Sequence, residues 1–99
     1  MDVQEEVAGT VCRLHVAGEM TIYSALELKE RLLGSLARYA EVDVDSSSVT
    51  EVDSAGLQLL LLAKREARSA GKRMQVSAPS PAMQEALQQF SLSPALESL

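Results

Sequence analysis

The sequence has little that would support metal, disulfide or nucleic-acid chemistry. It contains one cysteine and one histidine in 99 residues, so it can form no internal disulfide and offers no Cys/His cluster for zinc or an iron–sulfur centre. Trp is absent and only three residues are aromatic, so stacking platforms for bases are missing. The formal net charge of −5 argues against a clustered basic face for phosphate backbones. We therefore expect no metal, no cofactor and no nucleic acid, and a protein partner instead.

The sequence also lacks the apolar segments that membranes and secretion require. Its longest apolar run, Leu59 to Ala63, is far too short to span a bilayer. The acidic start has neither the basic residues nor the apolar stretch of a signal peptide. We expect a cytoplasmic protein without membrane insertion. The length fits one domain over residues 1–99, with a short tail at 91–99, and leaves little room for a deep substrate cavity, which argues against an enzyme.

Residue spacing predicts seven secondary-structure elements. Apolar residues alternate with polar ones in strands and recur every three or four positions in helices. The predicted strands cover residues 3–7, 11–16, 41–46 and 74–78, and the predicted helices cover about 24–39, 55–70 and 81–90. A loop with three serines and Val49 is predicted after the third strand. This order favours an α/β fold, with a mixed sheet of four or five strands and the helices packed mainly on one face.

The segment from Val42 to Leu57 carries the most informative pattern. It reads as a strand, a loop and the start of a helix, and it places the Ser54 hydroxyl at the helix N-terminus. A phosphate there would meet several unpaired backbone N–H groups and the positive end of the helix dipole, although Asp53 and Glu51 would repel it. A phosphoryl group would add a charge of about −1.5 to −2. The site can therefore exist in two charge states.

Two short motifs carry a family resemblance. The run Asp53-Ser-Ala-Gly-Leu57, behind Val42-Asp-Val-Asp45, resembles the D-S-x-G-L signature of STAS domains, the anti-sigma factor antagonist family. Gly18-Glu19, soon after a strand, resembles the earlier G-E/D turn of that family. The resemblance runs from about residue 3 to residue 92. It implies a single STAS-like domain with a regulatory function.

The resemblance also implies a switch at Ser54. In that family an anti-sigma factor with serine kinase activity phosphorylates the serine after the Asp, and a phosphatase reverses the reaction. The implied partner is such an anti-sigma factor or a related ATPase. The unphosphorylated protein would sequester its partner and the phosphorylated protein would release it. Ala55 stands where the family often has a second hydroxyl, and Glu51 lies near a position that is often apolar. Partner contacts are implied for eight residues: Gly18, Glu19, Glu51, Asp53, Ser54, Ala55, Gly56 and Leu57.

Three other interpretations of Ser54 remain open, and the second of them also comes from the resemblance. Serine is common at helix starts, so Ser54 could serve only the helix. The chain could be a constitutive interaction subunit, as in STAS-like components of lipid-transport ATPases or chemotaxis-type complexes, in which Ser54 stays unmodified. A Ser-His-Asp enzyme would need Ser54, His15 and Asp53 to converge. Because the G-x-S-x-G motif is absent and His15 falls on the polar side of a strand, we do not expect an enzyme.

Overall fold

The structure is a computed structural model that describes residues 1–90. The expected tail at 91–99 lies outside the described residues. Within residues 1–90 the chain forms four strands and three helices, in the order that the residue spacing predicts. The elements are β1 (Asp2–Ala8), β2 (Val11–Met20), α1 (Ala25–Arg38), β3 (Glu41–Val52), α2 (Ser54–Ser69), β4 (Arg73–Ser77) and α3 (Pro81–Gln89).

The four strands form one mixed sheet in the order β1-β2-β3-β4. β1 and β2 are an antiparallel hairpin, whose turn contains Gly9 at a φ of 64°. This conformation costs glycine little because it has no Cβ. β3 pairs in parallel with β2 on one side and with β4 on the other. The α/β class and the mixed sheet are confirmed, with four strands in the described part of the chain.

All three helices bury apolar side chains against one face of the sheet. The alternation predicted for β2 is confirmed, since Cys12, Leu14 and Val16 are buried. Fully burying one leucine stabilises the fold by about 1.5–3 kcal/mol, whereas an exposed ion pair contributes about 0–1 kcal/mol. The core face therefore supplies most of the stability. The largest fully buried side chains of the helices are Leu28, Leu32, Leu57, Leu60 and Met83.

Two strands are longer than the sequence pattern predicts. The third strand was expected to end at Ser46 and the second at Val16, but β3 reaches Val52 and β2 reaches Met20. The prediction of a serine loop is therefore wrong. The two strands stay paired through two register irregularities, which absorb the extra residues of β3 as bulges do. Ser46 is buried and its Oγ donates to the backbone oxygen of Ser77 at 3.0 Å, so long-range contacts outweigh the preference of serine for turns.

The second half of β3 extends beyond β4. Pairing with β4 ends where Asp45 meets Ser77, and α3 then lies beside β3. The N–H of Ser80 donates to the backbone oxygen of Ser46 at 3.2 Å. Ser80 also accepts the N–H of Met83 at 3.1 Å as the N-cap of α3, and Pro81 follows at the start of the helix.

The other face of the sheet carries charged side chains. Arg13 Nε donates to Oδ2 of Asp43 at 3.0 Å. His15 lies between two carboxylates, with Nδ1 at 2.9 Å from Asp45 Oδ2 and Nε2 at 3.2 Å from Glu6 Oε1. The hydrogen bond with Glu6, followed by that with Asp45, raises the pKa of His15 despite partial desolvation. Ionised carboxylates only accept, so this arrangement favours the imidazolium form, in which both nitrogens donate.

None of the helices in residues 1–90 has the length and apolar character that crossing a membrane requires.

Candidate partner-binding site at the start of α2

Ser54 is the first residue of α2 and its side chain is exposed. Asp53, directly after β3, is the N-cap, with an extended backbone at φ −110° and ψ 178°. Its Oδ1 accepts the backbone N–H of Gly56 at 3.0 Å. Such a cap satisfies one of the free N–H groups at a helix start. The strand and the cap together present the Ser54 hydroxyl to solvent, as the sequence predicts.

The second oxygen of Asp53 holds the neighbouring loop. Oδ2 accepts the backbone N–H of Ile22 at 2.9 Å, and the N–H of Asp53 donates to the backbone oxygen of Met20 at 3.3 Å. Partial burial raises the pKa of the Asp53 carboxyl, but the N–H groups of Gly56 and Ile22, with others nearby, lower it below its usual value. Asp53 is therefore a structural link between α2 and the loop that joins β2 to α1.

Gly56 lies against Met20 of β2. A Cβ added at Gly56 would come within 2.4 Å of the Met20 backbone oxygen and 2.9 Å of its Cγ. Leu57 is fully buried in the core. Both residues were expected to contact a partner, but the structure places them beneath the surface. Their role in this conformation is to hold Ser54 in place, since the close approach of α2 to β2 requires glycine.

The G-E motif lies beside the D-S-x-G-L motif. In the parallel pairing of β2 with β3, Gly18 is the partner of Val49 and Glu19 is the partner of Glu51. Gly18 has a φ of 94° within an irregular stretch of strand, where the sequence predicted a turn. Both glutamates are exposed, and neighbouring like charges repel. The motifs thus form one negatively charged edge of the site.

The start of α2 offers a phosphate fewer partners than the sequence indicated. Several free N–H groups were expected around Ser54, but Asp53 already accepts that of Gly56. The Asp53 carboxylate also interacts with the N–H of Ala55, the half-buried third residue of the motif. A phosphoryl group on Ser54 would therefore find the Asp53 carboxylate already bound to the N–H groups at the helix terminus.

Three exposed apolar residues at the site were not found by the sequence analysis. Ile22, Tyr23 and Leu26 are 65%, 96% and 68% exposed. They lie on the loop held by Asp53 and on the first turn of α1. The sequence does indicate that Leu26 is exposed, because Leu26 lies about 200° around the helix from Leu28 and so falls outside the buried stripe. The exposure of the two loop residues cannot be derived from periodicity.

His15 is not brought to Ser54. Its two ring nitrogens contact Glu6 and Asp45 on the open face of the sheet. The Ser-His-Asp arrangement considered from the sequence is therefore not assembled by these residues. Among residues 1–90, no group of three or more His, Cys, Asp or Glu side chains is placed to hold a metal ion.

A family model described as "Mlab, STAS domain" matches residues 3–97. The chain belongs to the STAS domain family. A comparison with curated protein sequences finds no match.

Solved structures of anti-sigma factor antagonists share the fold. The anti-sigma factor antagonist SpoIIAA in its unphosphorylated form aligns at a TM-score of 0.78 and 19% identity, over 94% of this chain and 84% of that one. The phosphorylated form of SpoIIAA from Bacillus aligns at a TM-score of 0.72 and 21% identity, over 94% of this chain and 86% of that one. An anti-sigma factor antagonist from Mycobacterium paratuberculosis aligns at a TM-score of 0.82 and 22% identity, over 96% of this chain and 81% of that one. At these identities the likeness establishes the fold.

The STAS signature thus has a physical explanation in this chain. Asp53 caps α2 and holds the adjacent loop, Gly56 permits close packing, and Leu57 anchors the helix in the core. Ser54 remains at the surface. Three of these four residues position the fourth.

Proposed function

We propose that this STAS domain is an anti-sigma factor antagonist-like regulator that binds a protein partner around Ser54, and that phosphorylation of Ser54 releases the partner. The observation that carries the proposal is the exposed Ser54 hydroxyl, fixed at the start of α2 by the Asp53 cap. The proposed partner is an anti-sigma factor with serine kinase activity or a related ATPase, and a phosphatase reverses the modification. The proposed site also includes Gly18, Glu19, Glu51 and Ala55.

A phosphoryl group at Ser54 acts mainly on the interface and not on the fold. It adds about −1.5 to −2 charges next to Asp53 and near the neighbouring Glu19 and Glu51. Arg and Lys side chains that would order a phosphate are absent from residues 50–58. The phosphate therefore has no cationic partner within this segment, and it opposes association through the desolvation cost of burying a dianion. The unmodified hydroxyl carries no such cost.

The test compares Ser54→Asp with Ser54→Ala in binding to the purified kinase-type partner by calorimetry. We expect Ser54→Asp to bind at least about tenfold more weakly, a difference of about 1.4 kcal/mol. Ser69→Asp is the matched control, because it places the same charge on an exposed serine at the other end of α2. Equal affinities for the two Ser54 variants would contradict the proposal.

A second candidate function, a constitutive interaction subunit, is favoured by the occupied helix start. Because Asp53 takes the N–H of Gly56 and places a carboxylate beside Ser54, a phosphate at this position is poorly stabilised within the chain. A subunit that only contacts its partner needs no stable phosphorylated state. Intact-mass spectrometry of protein purified from its source cells separates the two candidates. A stoichiometric species heavier by one phosphoryl group supports the switch, and its absence under all growth conditions supports the constitutive subunit.

A further inference from the structure

A groove of about 230 Å³ with acidic walls lies between β3 and α3. Glu51 on β3 and Glu85 on α3 line it, and Val52, Ala82 and Ala86 supply apolar walls. Both glutamates are exposed, and β3 and α3 contain no Lys or Arg. The two carboxylates of this groove, here called the β3–α3 groove, form no ion pair with any residue from 1 to 90.

The far end of α2 carries exposed arginines. Residues 64–73 contain five of the nine Lys and Arg residues of the chain and one acidic residue. Arg65 and Arg68 are both exposed, and side chains three positions apart are neighbours on a helix surface. Neither takes part in an ion pair within the part of the chain that the structure describes. Arg68 complements the negative end of the helix dipole, but Arg65 lies before the last turn.

The groove and the two arginines lie too far apart to meet within one molecule. Glu51 lies three residues before Ser54, the first residue of α2. At the usual rise of a helix, Arg65 and Arg68 lie about 16 and 21 Å beyond Ser54 along the axis. The unpaired carboxylates and the unpaired guanidinium groups therefore complement each other only between two molecules.

We infer that the β3–α3 groove is the docking site for the Arg65 end of α2 in a second copy of this chain. The Arg65 guanidinium donates to the carboxylates of Glu51 and Glu85, as Arg side chains do at acidic sites. The aliphatic part of the Arg65 side chain packs on the apolar walls of the groove. Each copy has one groove and one Arg65 end, so the contact joins copies head to tail into open chains. This self-association goes beyond the proposed function and does not depend on it.

Charge disfavours the other occupants of the groove. Two grooves facing each other would bring carboxylates against carboxylates, and like charges across an interface are costly. Anionic membranes and nucleic acids are repelled by the same carboxylates. A second copy instead brings one pair of unpaired arginines for each groove. Exposed ion pairs contribute little, so the association is weak, with a Kd of roughly 0.1–1 mM.

Sedimentation velocity of the purified chain, in a concentration series up to about 1 mM, tests the inference. We expect the weight-average sedimentation coefficient to rise past the value of a dimer at low salt and to fall as salt screens the charges. Arg65→Glu and Glu85→Lys should each weaken the association at least about tenfold, because each places like charges across the contact. Arg31→Glu and Glu30→Lys are the matched controls, since they make the same charge changes at exposed positions of α1. Both controls should associate as the unaltered protein does.

An equimolar mixture of Arg65→Glu and Glu85→Lys separates a specific contact from a general effect of charge. The first variant keeps an intact groove, and the second keeps an intact Arg65 end. The mixture should therefore associate at a concentration at which neither variant does so alone. Circular dichroism verifies that each variant is folded.

Several outcomes overturn the inference. These are a chain that stays monomeric at every concentration, an association that stops at the dimer, controls that weaken it as much as the test variants, and a mixture that does not associate. A monomeric chain whose Glu85→Lys variant loses affinity for the partner of Ser54 assigns the groove to that partner instead. The proposed function is judged separately, by the affinities of Ser54→Asp and Ser54→Ala for the partner, so either proposal can fail alone.

Discussion

The carboxylate of Asp53 accepts the backbone N–H of Ile22 at 2.9 Å, across 31 positions of the chain. The same carboxylate caps α2 through Gly56. One side chain therefore fixes both segments of the candidate site relative to each other. The Asp of the STAS motif has a structural function here whether or not a partner touches it.

Replacing Asp53 should weaken both attachments. Asp53→Ala removes the cap, and such losses cost about 0.5–2 kcal/mol. We expect a matching decrease in the free energy of unfolding, measured by urea denaturation followed by circular dichroism. Asp53→Asn is the control, because its one carbonyl oxygen can keep the cap but cannot also accept the N–H of Ile22. The free energy of unfolding of Asp53→Asn should lie between those of the unaltered protein and Asp53→Ala. An unchanged stability of Asp53→Ala would contradict the assigned role.

Adding a methyl group should have opposite effects at two glycines. At Gly56 the new Cβ would overlap the Met20 backbone oxygen, and overpacking of this kind costs about 1–3 kcal/mol. Gly34 lies on the exposed face of α1, and nothing among the described residues lies within 4 Å of the added Cβ. Alanine at this position favours the helix by about 0.5–1 kcal/mol relative to glycine. Thermal denaturation should therefore give a lower Tm for Gly56→Ala and a higher one for Gly34→Ala. Equal shifts would refute the packing argument.

His15 should make stability depend on pH. Its pKa is raised in the folded state, so its contribution is fully present below the unfolded pKa of about 6.5. The contribution is lost as pH rises through the higher folded value. The free energy of unfolding of the unaltered protein should thus exceed that of His15→Gln by more at pH 6 than at pH 8.5. The difference is modest, because the His15 side chain is 42% exposed and solvent screens its contacts. A gap that is constant with pH would contradict the prediction.

Cys12 should be unreactive in the folded protein. It is fully buried in β2, and burial is the main cause that raises the pKa of its thiol. The thiolate is the reactive form, so alkylation requires opening of the core. Iodoacetamide should label the protein slowly in buffer and rapidly in urea, as followed by intact mass. Gly56→Ala should react faster than the unaltered protein if it loosens the same core, and rapid labelling of the native protein would show that the thiol is accessible.

The fold followed from the sequence where periodicity was strong. The alternation around Leu14 and the helical spacing of Leu28 and Leu32 correspond to buried faces. The length of β3 did not follow, because serine favours turns. Irregular pairing with β2 and the contacts of Ser46 with Ser77 and Ser80 keep this stretch extended. Long-range pairing of this kind leaves no local signal.

The candidate site was predictable only in part. The position of Ser54 followed from the motif and the helix start. The burial of Leu57 and the contact of Gly56 with Met20 depend on how α2 lies against β2, which the motif does not reveal. The exposure of Tyr23 likewise depends on a loop that hydrogen bonds from distant residues hold in place.

The helix α3 has a protective consequence that follows from the length of β3. Beyond Asp45, β3 continues past the end of β4, so its edge on that side has no partner strand. An open strand edge is a template for pairing with another molecule. The hydrogen bond from Ser80 to Ser46 brings the start of α3 to this edge, and Ala82 and Ala86 line a groove there with Thr50 and Val52. α3 thus lies along part of the β3 edge that β4 leaves unpaired, where it opposes the intermolecular β-pairing that begins aggregation.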